Sequence, residues 1–294
     1  MLAGFLVGCT PALAPWVDAD VRGMAAYSSR PERGVVGSRE YKLLLDPVPF
    51  EQDEPWARSV IWGDLATLAQ SADFEVEGDF TVASPEREVR FYDTPGSCEL
   101  NARGFVFRER VVDGERSVTI KFRSPDRYVS AAKPMETDGE GRTKLEEDIS
   151  APFVSRFSHS TTMPISASKN LNALNDPLRL VPGIAPYFAD LDDSAPLAVV
   201  GGTTFAETVF RDASIDLGPL EAEPALTLWR VDGHVEVAEL SFAIEADHEG
   251  FDERSSARAL WLFEALQSHA WVSPDARTKT RTAYERDAGF CPSP

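Results

Sequence analysis

Residues 104–123 read Gly-Phe-Val-Phe-Arg-Glu-Arg-Val-Val-Asp-Gly-Glu-Arg-Ser-Val-Thr-Ile-Lys-Phe-Arg, and their pattern is the clearest structural signal in the chain. Two runs of alternating side chains, 104–112 and 117–123, flank Asp113-Gly114, a dipeptide that favours a two-residue hairpin turn. Because side chains alternate across a strand, one face of this hairpin is apolar and the other is basic. The stretch therefore predicts two antiparallel strands that pack on a core through one face only.

The same alternation continues outward in both directions from the hairpin. It predicts further strands at 38–45, 86–93, 142–149, 203–211, 213–217, 225–231, 235–245 and 277–284. Helical spacing predicts one helix over 56–69 and another after Asp252, a suitable N-cap residue. Residues 150–200, rich in Ser, Thr, Asn and Pro, are interpreted as a long crossover connection. We therefore expect one domain over 38–284, after an N-terminal segment and linker (1–37) and before a tail (285–294).

Bases dominate the polar face of four of these strands. The bases are Lys42, Arg108, Arg110, Lys121, Arg123, Arg142 and Lys144, and the acids on the same face are Glu40, Glu146 and Asp148. A solvated polar face is the usual state of an antiparallel sheet. Clustered bases on neighbouring strands, however, repel one another unless an anion lies among them. If the sheet closes into a barrel, this face becomes a cationic interior that can bind a polyanion.

Several short segments, in a consistent order, resemble motifs of the CYTH superfamily, also called triphosphate tunnel metalloenzymes. In the N-terminal half they are Ser38-Arg39-Glu40-Tyr41-Lys42, Phe91-Tyr92-Asp93-Thr94-Pro95, Arg108-Glu109-Arg110, Ser117-Val118-Thr119-Ile120-Lys121 and Lys144-Leu145-Glu146-Glu147-Asp148. In the C-terminal half, Val237-Ala238-Glu239-Leu240 resembles an acidic strand of the family, and residues 279–284 resemble its closing strand.

The resemblance implies an α+β fold, a closed eight-stranded antiparallel tunnel barrel with flanking helices. It implies phosphate-binding roles for Lys42, Arg108, Arg110, Lys121, Arg123, Arg142, Lys144, Arg211, Lys279 and Arg281, although a solvated position suits Arg211 and Arg281 as well. It implies Mg²⁺ or Mn²⁺ on Glu40, Glu146, Asp148 and Glu239, with Glu40, Glu146 and Lys42 catalytic. The function expected from it is binding, and hydrolysis, of inorganic triphosphate or a related phosphorylated compound.

Two expected acids of the family pattern are serines here, Ser38 and Ser241. The loss weakens metal affinity, because that affinity depends on the number of charged oxygens. Glu207, Asp216 and Glu245 are candidate replacements, although each also fits a surface acid. The alternative is therefore a non-catalytic envelope lipoprotein that binds another anionic ligand or a protein partner.

Composition excludes several other classes. With 48 acidic and 29 basic residues the formal charge is −19, which disfavours nucleic acid as a partner. The four histidines are scattered, which disfavours a histidine-based zinc site. Beyond the N-terminus there is no apolar run of about 20 residues, the length that a transmembrane helix needs.

The N-terminus and the cysteines bear on location. Residues 1–9 are apolar and end in Leu-Val-Gly-Cys, which resembles a bacterial lipobox and predicts lipidation of Cys9, membrane anchoring and a cell-envelope location. If the segment is not a signal, a cytoplasmic location is expected instead. Cys98 and Cys291 are either disulfide partners or two free thiols. The oligomeric state stays open.

Overall fold

The computed structural model describes residues 34–137, 139–248, 250–274 and 278–291, so Cys9 and its lipobox-like segment lie outside the described residues. Within that part of the chain the strands are β1 (Ser38–Leu45), β2 (Val76–Ala83), β3 (Arg87–Asp93), β4 (Phe105–Val112), β5 (Glu115–Ser124), β6 (Arg142–Ser150), β7 (Val154–Ile165), β8 (Ala198–Val199), β9 (Phe205–Asp216), β10 (Glu221–Val231) and β11 (His234–Glu245). The helices are α1 (Val48–Ser71), α2 (Glu99–Ala102), α3 (Arg127–Ala131), α4 (Asn175–Leu180), α5 (Glu253–Leu266) and α6 (Lys279–Glu285), with 3-10 turns at Pro182–Phe188 and Val200–Gly202.

Nine of the strands close into a barrel in the order β9-β10-β11-β1-β6-β7-β5-β4-β3, and β3 pairs back with β9. Strands β2 and β8 add to β9 and β3 outside this ring. All neighbours in the ring are antiparallel except β1 and β6, which run parallel with Ser38 opposite Glu146. The expected α+β barrel is confirmed, but the expectation of eight strands, all antiparallel, is wrong by one strand and one parallel pair.

The predicted Asp113-Gly114 hairpin turn forms, and a second Asp-Gly dipeptide, Asp232-Gly233, forms the turn between β10 and β11. Asp113 and Gly114 have φ values of 51° and 82°, and Asp232 and Gly233 have 53° and 85°. Positive φ at both central residues is the geometry that suits the right-handed twist of hairpin strands. Each dipeptide thereby fixes the register of its hairpin, and with it the face to which every charged side chain points.

The extra ninth strand, β7, lies where the sequence analysis expected a crossover connection. Its hydroxyl side chains pair with those of its neighbours, as between Thr119 and Thr162 (2.8 Å) and between Thr143 and Thr161 (2.7 Å). Cross-strand hydroxyl pairs of this kind stabilise a sheet without apolar alternation, so the segment carries a weak strand signal. The true crossover runs from β7 to β9 and packs Phe188 against Phe105, with ring centroids 5.3 Å apart.

The part of the outer face that β1, β10 and β11 form is covered by α1 and α5. Tyr41 on β1 is fully buried there, stacked on Phe242 with ring centroids 4.9 Å apart and close to Phe263 of α5. As predicted, Asp252 caps α5, because its carboxylate accepts the Ser255 N–H at 2.7 Å. Among the described residues, no helix combines the length and the apolar character that a membrane crossing requires.

The predicted closing strand over 277–284 is wrong, because the segment from Lys279 forms helix α6. The Thr278 hydroxyl accepts the Arg281 N–H at 3.1 Å and so caps its first turn. A helix satisfies the backbone groups of this segment internally and needs no partner strand. The Tyr284 hydroxyl donates to the Asp93 carboxylate at 2.9 Å and fixes α6 against the end of β3.

One end of the barrel interior is filled with apolar side chains. They are Leu44, Val89, Phe91, Val106, Phe205, Trp229, Val231 and Val237, packed with Ala283 and Tyr284 of α6. Leu44 and Val106 lie on the same strand faces as Lys42 and Arg108, so this apolar plug occupies the same interior as the charges. The barrel is therefore a blind pocket, closed at the end where β1 finishes.

A disulfide joins Cys98 to Cys291, with their Cα atoms 5.6 Å apart, which confirms the pairing that the sequence left open. The tail beside it is held further by the Gly96 N–H, which donates to the Phe290 carbonyl at 2.9 Å. Together these contacts fasten the chain after α6 to the segment that follows β3.

Candidate functional site

The charged face of the strands points into the barrel, as the sequence predicts for a closed sheet. The interior cations are Lys42, Arg87, Arg108, Arg110, Lys121, Arg123 and Lys279, and the interior acids are Glu40, Glu146, Asp148, Glu207 and Glu239. Most of these cations keep about a fifth of their side-chain surface exposed, 19% for Lys121 and 22% for Arg123. They are therefore withdrawn from bulk water yet still face open space.

Lys42 lies between two carboxylates on the adjacent strands β1 and β6. Its ammonium is 2.8 Å from Glu40 and 2.5 Å from Asp148. Burial disfavours the charged lysine, but Asp148 and Glu40 outweigh this effect and raise the pKa of Lys42. Asp148 also accepts from Arg123 at 2.9 Å and from Ser158. Burial alone would raise its pKa, but Lys121, Lys42 and Arg123 hold it well below its usual value.

Glu207 forms a second buried pairing on the opposite wall of the barrel. It contacts Arg87 at 2.9 Å and Arg110 at 3.3 Å, and it accepts the indole N–H of Trp229 at 3.1 Å. Burial favours the neutral acid, but Arg110, Lys279 and Arg87 outweigh it and lower the pKa of Glu207 to about 2. Glu207 is only 1% exposed, so its interpretation as a surface acid is wrong.

Arg108 and Lys121 are cations in surplus over these pairings. Among the described residues Arg108 has no carboxylate within ion-pair distance, and its guanidinium donates to the Thr119 hydroxyl at 3.5 Å. Lys121 reaches Glu146 and Asp148 only at 3.7 and 3.9 Å. Burial and the neighbouring Arg110 lower the pKa of Arg108 to about 9, and burial lowers that of Lys121 to about 8. Burial is the main cause of both shifts, so each group is a cation held in a partly desolvated interior.

Lys279 reaches the interior from α6 and not from a strand. Its ammonium is 2.7 Å from Glu239 of β11 and lies 5.6 Å from the centre of the Trp229 ring. The predicted interior placement of Lys279 thus holds although its predicted secondary structure is wrong. Glu146 pairs in turn with Lys144 and accepts from the Ser38 hydroxyl at 3.2 Å.

The open end of the barrel leads into a cavity of about 750 Å³. Its inner wall contains Ser38, Glu40, Arg110, Glu146 and Ser241. Its outer wall, which we call the rim, contains the exposed acids Glu77, Asp212, Glu221, Glu223 and Glu245 together with the bases Lys144 and Arg211. Among the described residues the interior behind this cavity holds seven cations and five acids, whereas the rim holds five acids and two bases. The net charge therefore changes from positive in the interior to negative at the rim.

Strand β2 brings one of these rim acids to the cavity. At Gly78, beside Glu77, an added Cβ atom would lie 1.7 Å from the Asp212 carbonyl oxygen of β9. Only glycine permits this close approach of the two backbones, and its φ of 73° suits glycine as well. A strand that the sequence analysis missed thus completes the rim.

The remaining predicted residues lie away from the interior. Arg281 is exposed on α6, where it pairs with Glu285 at 2.5 Å, and Asp216 is exposed at the end of β9. Arg142 is exposed beyond Lys144 on β6, and Glu245 belongs to the rim. Conversely, Arg87, Trp229 and Ser158 contribute to the interior without having been predicted. Alternation along 86–93 places Arg87 on the face of Val89 and Phe91, a signal that was available in the sequence.

The four candidate metal ligands do not form a metal site. Among the described residues, no group of three or more His, Cys, Asp or Glu side chains could hold a metal ion. Glu40 and Asp148 are bridged by the Lys42 ammonium, and Glu239 faces Lys279. Ser38 donates to Glu146 where the family pattern has an acid. The donor set present therefore does not fit Mg²⁺ or Mn²⁺, which prefer several convergent carboxylate oxygens.

No protein-family model and no curated protein matches the chain. Among solved structures, the chain is similar to a candidate adenylyl cyclase from Hippeastrum that is described as having a dominant triphosphatase activity. The identity is 14% over 85% of this chain and 96% of that one, with a TM-score of 0.44. It is also similar to candidate adenylate cyclases from Bacillus halodurans (13% identity, 84% and 98% covered, TM-score 0.38) and Vibrio parahaemolyticus (13%, 84% and 98%, TM-score 0.33).

The closed barrel that the sequence resemblance implied is shown by this chain's own ring of strands and its charged interior, but the apolar plug closes one end of the expected tunnel.

Proposed function

We propose that the barrel interior binds inorganic triphosphate or a related short phosphorylated compound. The observation that carries this proposal is the surplus of buried positive charge at Arg108 and Lys121. Like charges in a partly desolvated space repel one another, and a bound polyanion would relieve that repulsion. Arginine in particular offers planar paired donors that match phosphate oxygens.

The charge arrangement also indicates which groups would position the phosphates. Arg108 and Lys121 have unused donor capacity, whereas Lys42 and Arg123 are already engaged by Asp148. We therefore assign the first contacts of the ligand to Arg108 and Lys121, with Arg110 at the entrance from the cavity. The carboxylates serve to hold the surrounding cations in place.

A decisive experiment is calorimetric titration of tripolyphosphate into the wild-type protein and the Arg108→Ala variant. Loss of a partly buried, charge-assisted contact of about 3 kcal/mol corresponds to an affinity loss of about 100-fold. Arg281→Ala removes an exposed arginine of the same charge, and its affinity should equal that of the wild type. Absence of wild-type binding, or an unchanged affinity in Arg108→Ala, would refute the proposal.

Urea unfolding of the ligand-free proteins separates binding from a structural role. Because Arg108 is repelled by its neighbours, Arg108→Ala should be at least as stable as the wild type while it loses the ligand. A variant that loses stability and binding in parallel would indicate that Arg108 supports the fold instead.

Hydrolysis remains a prediction from the sequence resemblance. Water would attack the terminal phosphorus, and cleavage of the bridging P–O bond would release phosphate and pyrophosphate. The test is phosphate release from tripolyphosphate with Mg²⁺, with Mn²⁺ and with a chelator.

A second candidate function is binding without catalysis, in an envelope lipoprotein anchored at Cys9. The observation that favours it is the Lys42 ammonium between Glu40 and Asp148, which neutralises two of the expected metal ligands. This candidate predicts that the Kd for triphosphate is the same with and without divalent metal, whereas metal-dependent turnover would exclude it.

A further inference from the structure

The charge reversal between the interior and the rim has no role in simple phosphate binding, yet within the part of the chain that the structure describes it lies on the open route into the blind pocket. The rim acids Glu77, Asp212, Glu221, Glu223 and Glu245 outnumber the rim bases Lys144 and Arg211. An anion that fills the interior and ends there meets mainly cations. An anion that continues outward must lie against the rim acids.

We propose that the acidic rim restricts the ligand to a short phosphate chain, so that the site discriminates against long polyphosphate. This inference rests on the proposed function, since it assumes that phosphate binds inside. The blind end prevents a long chain from passing through the barrel, because Phe91, Phe205 and Trp229 fill it and are at most 2% exposed. Any excess length therefore projects through the rim.

The depth of the pocket determines how many phosphate units fit before the chain reaches the rim. Glu239 faces the deep cation Lys279, and Glu245 belongs to the rim, six residues further along β11. Six residues of strand correspond to about 20 Å along the strand. With the tilt that is usual in barrels, they correspond to about 15 Å along the axis. A phosphate chain anchored by the interior cations thus reaches the acids after a few phosphate units.

The electrostatic state of Glu245 is consistent with a repulsive rim. Burial is the main cause that raises the pKa of Glu245; Glu146 and Glu223 act in the same direction, and Lys144 and Arg142 oppose them. The bases near the rim therefore do not fully offset the cost of a negative charge at this position. A further anion placed among the rim acids would add to this cost, whereas a neutral or cationic group attached to the phosphates would not.

The test is a comparison of tripolyphosphate with long-chain polyphosphate, by calorimetry and by competition, with concentrations expressed per chain end. The double variant Glu221→Gln/Glu223→Gln removes two rim charges. The matched control, Asp193→Asn/Glu264→Gln, removes two exposed acids elsewhere on the surface. All four side chains are exposed, so neither variant should disturb the fold.

In the wild type we expect triphosphate to bind at least about tenfold more tightly than long-chain polyphosphate, since like-charge contacts oppose the longer ligand. The rim variant should bind the long chain more tightly and so remove most of this difference in affinity, while its affinity for triphosphate changes less than about twofold. The control variant should show the same difference as the wild type. Equal wild-type affinities, or a gap that the rim variant keeps, would overturn the inference. Failure of triphosphate itself to bind would refute the proposed function instead.

Discussion

Glu207 and Glu245 are the same side chain at two depths of one barrel, and their pKa values shift in opposite directions. At Glu207 the guanidinium groups of Arg110 and Arg87 outweigh burial, and the pKa falls to about 2. At Glu245 burial, together with Glu146 and Glu223, outweighs Lys144 and Arg142, and the pKa rises. The interior thus provides enough neighbouring positive charge to overcome the burial of a carboxylate, and the rim does not.

Neutralising Glu207 and Glu245 in turn should give the largest difference in stability between the two positions. Glu207→Gln leaves Arg87 and Arg110 buried without a counter-charge and should reduce the free energy of unfolding by about 3–5 kcal/mol, as for other broken buried pairs. Glu245→Gln should stay within about 0.5 kcal/mol of the wild type, as exposed substitutions usually do. Urea unfolding measures both, and similar losses at the two positions would contradict the comparison.

Measuring the free energy of unfolding as a function of pH tests the charge environment of Glu207 in the wild-type protein. A carboxylate with a lowered folded pKa contributes stability that is fully present above its unfolded pKa and is lost as the pH falls through the folded pKa. For Glu207 this window runs from its ordinary value of 4.5 down to about 2. The loss should be about 3 kcal/mol across that window. In Glu207→Gln this part of the pH dependence should be absent. If its slope matched that of the wild type, Glu207 would not be the titrating group.

The closed end of the barrel can be loosened through the disulfide. Replacing both Cys98 and Cys291 by Ser should lower the free energy of unfolding by about 2–3 kcal/mol, because the bridge closes a long loop and holds the chain after α6. The reduced wild type should behave like the double variant in thermal unfolding. Should both melt like the oxidised protein, the bridge would not support this end of the barrel.

A smaller effect concerns the pH dependence of phosphate binding. The neutral form of Lys121 cannot attract an anion, so the affinity for triphosphate should fall by about tenfold per pH unit above the pKa of about 8. Lys121→Arg should shift this fall to higher pH, while Lys144→Arg, at the exposed rim, should not. Calorimetry of the three proteins in one buffer series also corrects for ionisation of the ligand. An unshifted profile in Lys121→Arg would assign the fall to another group.

The predictable part of the fold came from elements with strong local signals. β1 has the bounds that alternation predicts, and the two Asp-Gly turns set the hairpins in register. The interior positions of Lys42, Arg108 and Lys121 followed from alternation together with closure of the sheet.

The rest could not be read from local pattern. In the middle of β7, from Ser158 to Thr162, both faces carry polar side chains. The segment therefore lacks the apolar alternation that would predict a strand. The segment from Lys279 onward is too short for its alternation to distinguish a strand from a helix, and the structure shows a helix capped by Thr278. The burial of Glu207 could not be predicted either. An acid that faces a polar barrel interior and an acid that faces solvent produce the same alternating pattern along a strand.

The apolar plug has a consequence for the order of molecular events. A barrel with a single opening must admit a ligand and release it through the same passage, so each release has to precede the next entry. If triphosphate is hydrolysed inside, the inner fragment cannot leave before the outer one. Retained phosphate would then occupy the contacts that the next triphosphate requires, and product would inhibit competitively with substrate.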